Sequence, residues 1–124
     1  MPTEIQDLEK LLERVRATMG PDRELDAAIH RTLFPDDIAS GGTGGGSAPV
    51  RRVTSSLDAC ASLMREVLPR WDILSLGHYE EVPYAMISGE GEALGYGHTL
   101  HLAWIDAIVR AVKRRQPPKQ RGTP

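Results

Sequence analysis

His98 and His101 stand three residues apart in the run "GYGHTLHLAW", the spacing at which one helical turn presents two imidazoles to a shared metal. No third ligand accompanies them. His30 and His78 fall in other segments, and Cys60, the only cysteine, sits in an apolar stripe. One cysteine excludes an internal disulfide and a multi-cysteine zinc site. No metal and no cofactor is therefore expected. His98 is read as flanking a helix cap and His101 as partly exposed.

Two other groups carry possible chemistry. Ser55 with Ser56, and His98 with Thr99, each open a helical pattern, and helix N-termini collect anions because free N–H groups and the helix dipole converge there. Gly95 and Gly97 let backbone approach closely, and Tyr84 and Tyr96 suit a half-wet contact. Ser55, Ser56, Tyr84, Tyr96, His98 and Thr99 thus form the candidate site for a small anionic ligand. The competing reading is plain capping, which every helix requires. Asp26 and Asp58 fall in first helical turns, where a carboxylate stabilises a helix by ~0.3–1 kcal/mol and needs no catalytic explanation. Neither serine sits in a G-x-S-x-G elbow. No catalytic residue is assigned, and the chain is not expected to be an enzyme.

The stretch "SGGTGGGSAP", residues 40–49, invites a phosphate-loop reading. A P-loop needs G-x-x-x-x-G-K-[ST] between a strand and a helix. Here no lysine follows, the preceding element is helical, and Pro49 interrupts the exit. The composition is that of a flexible connector.

Around these residues the hydrophobic pattern sets out the elements. Residues 3–18 place Ile5, Leu8, Leu11, Leu12 and Val15 on one helical face, with Thr3 and Gln6 as a capping box. A second helix over 22–33 buries Leu25, Ala28, Ile29 and Leu33. Val50–Thr54 is read as a short strand, and a helix over 56–68 follows with Leu57, Cys60, Ala61, Met64, Val67 and Leu68 inward. Residues 71–79 and 82–88 read as a hairpin, with Pro83 marking an edge or a strand start. Residues 89–97 read as a loop. The last helix, 99–114, is apolar on two faces. Such a helix is buried on both sides or meets another subunit; its second face, with Leu102, Ile105 and Val109, is the candidate subunit interface, with a free strand edge as the other route to a homo-oligomer. Trp71 and Trp104 are expected in the core.

Net charge is −2, but residues 113–124 carry five bases and no acid, leaving the rest of the chain at −7. Such a body does not present a nucleic-acid surface, although the tail can touch phosphate weakly. The start lacks a signal-peptide core, and no apolar run reaches the ~18 residues of a membrane span. No membrane partner is expected, and the cytoplasm of a bacterial host cell is the expected location. Four regions follow: an N-terminal helical hairpin (1–35), a glycine-rich linker with a short strand (36–54), a hairpin and helix core (55–115) packing with the first, and a basic tail (116–124).

The segments "GPDRELDAAIHRTL" (20–33), "VTSSLDACASLMREVLPRWDI" (53–73) and "GYGHTLHLAWIDAIVRAV" (95–112) together resemble the phage ABA sandwich domain of small phage and prophage proteins. Arg23-Glu24-Leu25-Asp26 and Ser56-Leu57-Asp58-Ala59 before Trp71 carry most of the likeness. Val53 stands where family members often have an aromatic, and the glycine stretch looks like an insertion. The resemblance implies a sheet held between helices and no established chemistry. The expected fold is α+β, a small antiparallel sheet sandwiched between helices in α/β/α layers, with an N-terminal helical hairpin. The expected role is that of a phage or prophage accessory protein, a non-catalytic binding or assembly module that forms a homo-oligomer. The alternative is sequestration of a small anionic ligand, such as a nucleotide signal of host defence.

Overall fold

The two apolar faces of the last helix decide the layering. The computed structural model describes residues 5–34 and 50–115. Within them run α1 (Ile5–Ala17), α2 (Arg23–Leu33), α3 (Leu57–Val67), β1 (Asp72–Tyr79), β2 (Val82–Ser88), β3 (Glu92–Tyr96) and α4 (Leu100–Arg115). Thr3 of the expected capping box, the glycine stretch and the basic tail (116–124) lie outside the described residues.

The strands form one antiparallel sheet in the order β1-β2-β3. α4 lies across it, chiefly over β2 and β3, while α1 and α3 pack on α4 and α2 packs on α1. The class is α+β with an N-terminal helical hairpin, as expected. The layer order is not the expected α/β/α, because α4 and not the sheet occupies the middle. A three-stranded sheet with Ala85, Ile87, Ala93 and Gly95 on one face has one surface to bury. α4 has two, and residues Leu102 to Val109 are all buried. Leu102, Ile105 and Val109 are each 0% exposed within the single chain. The expectation that they meet another subunit is thereby overturned, since α4 already has a neighbour on each side.

Two local expectations are also corrected. Residues 92–96, read as loop, form β3. Gly95 within it and Gly97 just after it are packing devices: a Cβ on Gly95 would sit 2.4 Å from Ala103 O and Ala107 N, and one on Gly97 2.7 Å from Ala103 N. Val50–Thr54, read as a strand, is not one. Its backbone pairs with a helix end instead. Thr54 N–H donates to Asp26 Oδ1 at 2.9 Å, and Asp22 N–H donates to Thr54 Oγ1 at 2.8 Å. Asp22 in turn caps α2 by accepting from Leu25 N–H at 2.9 Å. This staple ties the first two of the resembling segments, 20–33 and 53–73, to one another.

Candidate functional site

Asp106 is the only acid in α4 and is 1% exposed. A lone carboxylate in so apolar a helix must be held by partners. Its Oδ2 accepts the backbone N–H of Tyr96 at 3.0 Å and Arg110 Nε, one turn on, also at 3.0 Å. Its Oδ1 is buried without a hydrogen-bond partner. Burial pushes the carboxyl up to about 6, while the Tyr96 N–H and the positive charge of Arg16 pull the other way. Desolvation outweighs both.

Strand geometry explains why Tyr96 offers its N–H. Gly97 N–H donates inward to Pro83 O on β2 at 3.3 Å. Alternation then turns the N–H and C=O groups of Glu92, Leu94 and Tyr96 toward the free edge of β3. Side chains of α4 cap that edge at both ends: Asp106 takes Tyr96 N–H, and an Arg114 guanidinium N–H donates to Glu92 O. Such capping protects an edge strand from pairing with another chain.

Asp106 lines a cavity of about 490 Å³ with Arg16, Glu81, Pro83, Tyr96 and His98, and Arg110 completes its wall. Arg110 also lines a second cavity of about 480 Å³, between α1 and β3. The first cavity opens beside the β1–β2 turn. There Glu80 and Glu81 both have positive φ, 51° and 68°. A two-residue turn of this kind favours Asn-Gly, and for glutamate each position costs about 1 kcal/mol or more.

The expected ligand residues divide. Tyr96 and His98 line the Asp106 cavity. Tyr84 pairs with Tyr96 across the register on the outer sheet face, its hydroxyl 2.6 Å from Ser75 Oγ. Ser56 Oγ accepts from Ala59 N–H, and Thr99 Oγ1 from Leu102 N–H, both at 3.1 Å. Ser55 Oγ donates to Arg52 O at 3.4 Å. The serines and Thr99 thus serve their helix ends, and neither cavity includes them. Among the described residues no group of three or more His, Cys, Asp or Glu side chains is placed to hold a metal. No helix among them is long and apolar enough to cross a membrane.

Asp106, Arg110, Arg16 and Glu81 escaped sequence reasoning. The signal for the first two was present: one acid inside "LHLAWIDAIVRAV", with a base four residues on. Neither a protein-family model, nor a curated protein, nor a solved structure matches this chain. The phage ABA sandwich resemblance thus rests on the sequence motifs alone.

Proposed function

We propose that this protein is a non-catalytic assembly module, of the kind expected of a phage or prophage accessory protein, and that a second copy covers the outer face of its sheet. One observation carries the reading. The face turned away from α4 presents Val82, Tyr84, Met86, Leu94 and Tyr96, with Tyr79 beside Val82. Tyr79 is 65% exposed, Tyr96 45%, Val82 44% and Leu94 38%. Contiguous apolar surface of this kind marks an interaction site. No charged side chain stands among the register pairs at its centre, Tyr84 with Tyr96 and Met86 with Leu94. Two such uncharged patches can meet about a two-fold axis without burying an unpaired charge.

The nucleophile candidates support a non-catalytic role. The Cys60 thiol is buried and pushed up to about 12 by desolvation and by the charge of Asp26. The Ser56 hydroxyl is engaged in its cap. Sedimentation of the full chain tests the reading: wild type sediments as a dimer at micromolar concentration, and Leu94→Lys as a monomer with an unchanged circular dichroism spectrum. A monomeric wild type defeats the proposal.

A further inference from the structure

Charges of opposite sign stand at diagonally opposed corners of the outer face. The β1–β2 pairing runs from Tyr79–Val82 at the turn to Asp72–Ser88, and β3 joins Glu92 to Ser88. The turn therefore closes one end of the sheet on the β1 side, and Glu92 opens β3 at the other end. Glu80 and Glu81, the turn residues, are both exposed, and neither makes an ion pair among the described residues. Both stand in the left-handed region, which favours glycine. A turn that keeps two glutamates against their backbone preference points to a use for the acids. At the Glu92 corner lies the cavity of about 480 Å³, whose wall carries Arg110, Lys113 and Arg114, with Glu92 as its single acid. Arg110 is paired with Asp106, and Lys113 with Glu9. Arg114 is exposed and donates to the Glu92 carbonyl, with no carboxylate partner among the described residues. Half-buried Ile5 and exposed Leu94 give the same cavity an accessible apolar side.

A two-fold axis between two facing sheets, set across this diagonal at its midpoint, carries each corner onto the opposite corner of the other copy. Resting on the dimer proposed above, we propose that the β1–β2 turn of each copy seats over the α1–β3 cavity of the other. Glu80 and Glu81 meet Arg114 of the partner subunit, whose planar fork suits a carboxylate. The exposed Tyr79 ring packs on Ile5 and Leu94 of the partner subunit. The uncharged centre of the face supplies the buried contact, and the charged corners at its rim fix which way round two copies meet. A flat patch of tyrosine, methionine and leucine alone would accept several orientations.

Charge reversal of the full chain tests this by sedimentation, with one variant of each mixture fluorescently labelled. Glu80→Arg with Glu81→Arg, and separately Arg114→Glu, each raise the dimer Kd at least about tenfold, because like charges then meet at both corners. All three positions are exposed, and circular dichroism is unchanged. Mixed together, the two variants form a heterodimer with nearly the wild-type Kd. In it the reversed turn meets the reversed corner, and the native turn meets the native corner. A second variant, Glu80→Asn with Glu81→Gly, separates this role from the fold. It raises the melting temperature in the monomeric Leu94→Lys background, since the turn is relieved, yet weakens the dimer at least about threefold in the otherwise wild-type chain. With the wild type dimeric, the proposal is overturned if the mixture forms no more heterodimer than either variant forms homodimer, or if the Asn-Gly turn dimerises like wild type. A monomeric wild type overturns the dimer and the corner contacts together.

Discussion

Asp106 Oδ2 receives the Tyr96 amide and the Arg110 guanidinium at the same distance, 3.0 Å, so one oxygen joins the sheet edge to its covering helix. The other oxygen is left buried and unpartnered. The carboxylate therefore secures the β3 edge while carrying an unmet demand of its own.

That demand has a pH signature. The folded state raises Asp106 from its ordinary 3.8 to about 6, so between these values the folded chain binds more protons at this group than the unfolded chain. Stability attributable to Asp106 then falls as pH rises from about 4 to about 6 and is flat above. The gap corresponds to roughly 3 kcal/mol at 1.36 kcal/mol per pKa unit. Urea denaturation across this range, compared between wild type and Asp106→Asn, isolates it. The difference between the two proteins changes through this window. A constant difference refutes the assignment.

Gly95→Ala forces α4 off the sheet, because backbone atoms of Ala103 and Ala107 stand 2.4 Å from the new Cβ and have no rotamer to escape into. A loss of about 1–3 kcal/mol, or more, is expected by thermal or urea unfolding. Gly77→Ala is the control: its Cβ meets the Tyr84 ring and hydroxyl at an ordinary 3.5 Å, with β-region propensity in its favour. It should leave stability unchanged or slightly higher.

The same glycines explain what was legible in the sequence. The four helices among the described residues announce themselves through apolar spacing and caps, and the β1–β2 hairpin through branched and aromatic runs. β3 hides because its inward positions carry Ala93 and Gly95, chosen by the closeness of a helix distant in sequence. Val50–Thr54 misleads for the converse reason: branched residues suggest a ladder, but the Thr54 amide is spent on Asp26. The two faces of α4 were readable. Whether the second met this chain or another was not, because periodicity records burial and not its partner. Tyr96, named as a tyrosine suited to a half-wet contact, and His98, named at a helix start, both line the Asp106 cavity. Arg16 and Glu81 come from elements whose convergence no local pattern encodes.

Cys60 should resist alkylation at pH 8 under native conditions and react at the rate of global or subglobal opening. Its thiol is 0% exposed, and burial with the nearby Asp26 charge pushes it up to about 12. The thiolate is the reactive form, so protonation and inaccessibility act together. Iodoacetamide labelling followed by mass spectrometry against urea concentration checks this. Rapid labelling without urea contradicts the buried position.

Thr54 should prove more sensitive to losing its hydroxyl than to losing its methyl. The side chain is 1% exposed. Its Oγ1 accepts the Asp22 N–H at 2.8 Å and approaches Asp22 O at 3.3 Å, while its own N–H reaches Asp26. Thr54→Val keeps the shape and removes the acceptor, leaving the Asp22 amide, next to the α2 N-terminus, without its partner. The expected loss is about 1–3 kcal/mol. Thr54→Ser keeps the hydroxyl and removes one buried methyl, a loss of about 1 kcal/mol. Hydrogen exchange separates the two causes: in Thr54→Val the Asp22 amide exchanges faster than in Thr54→Ser at matched global stability. Should Thr54→Ser be the more damaging, the segment from Val50 is held by packing of the methyl, and the staple between α2 and the α3 entry is not what fixes it.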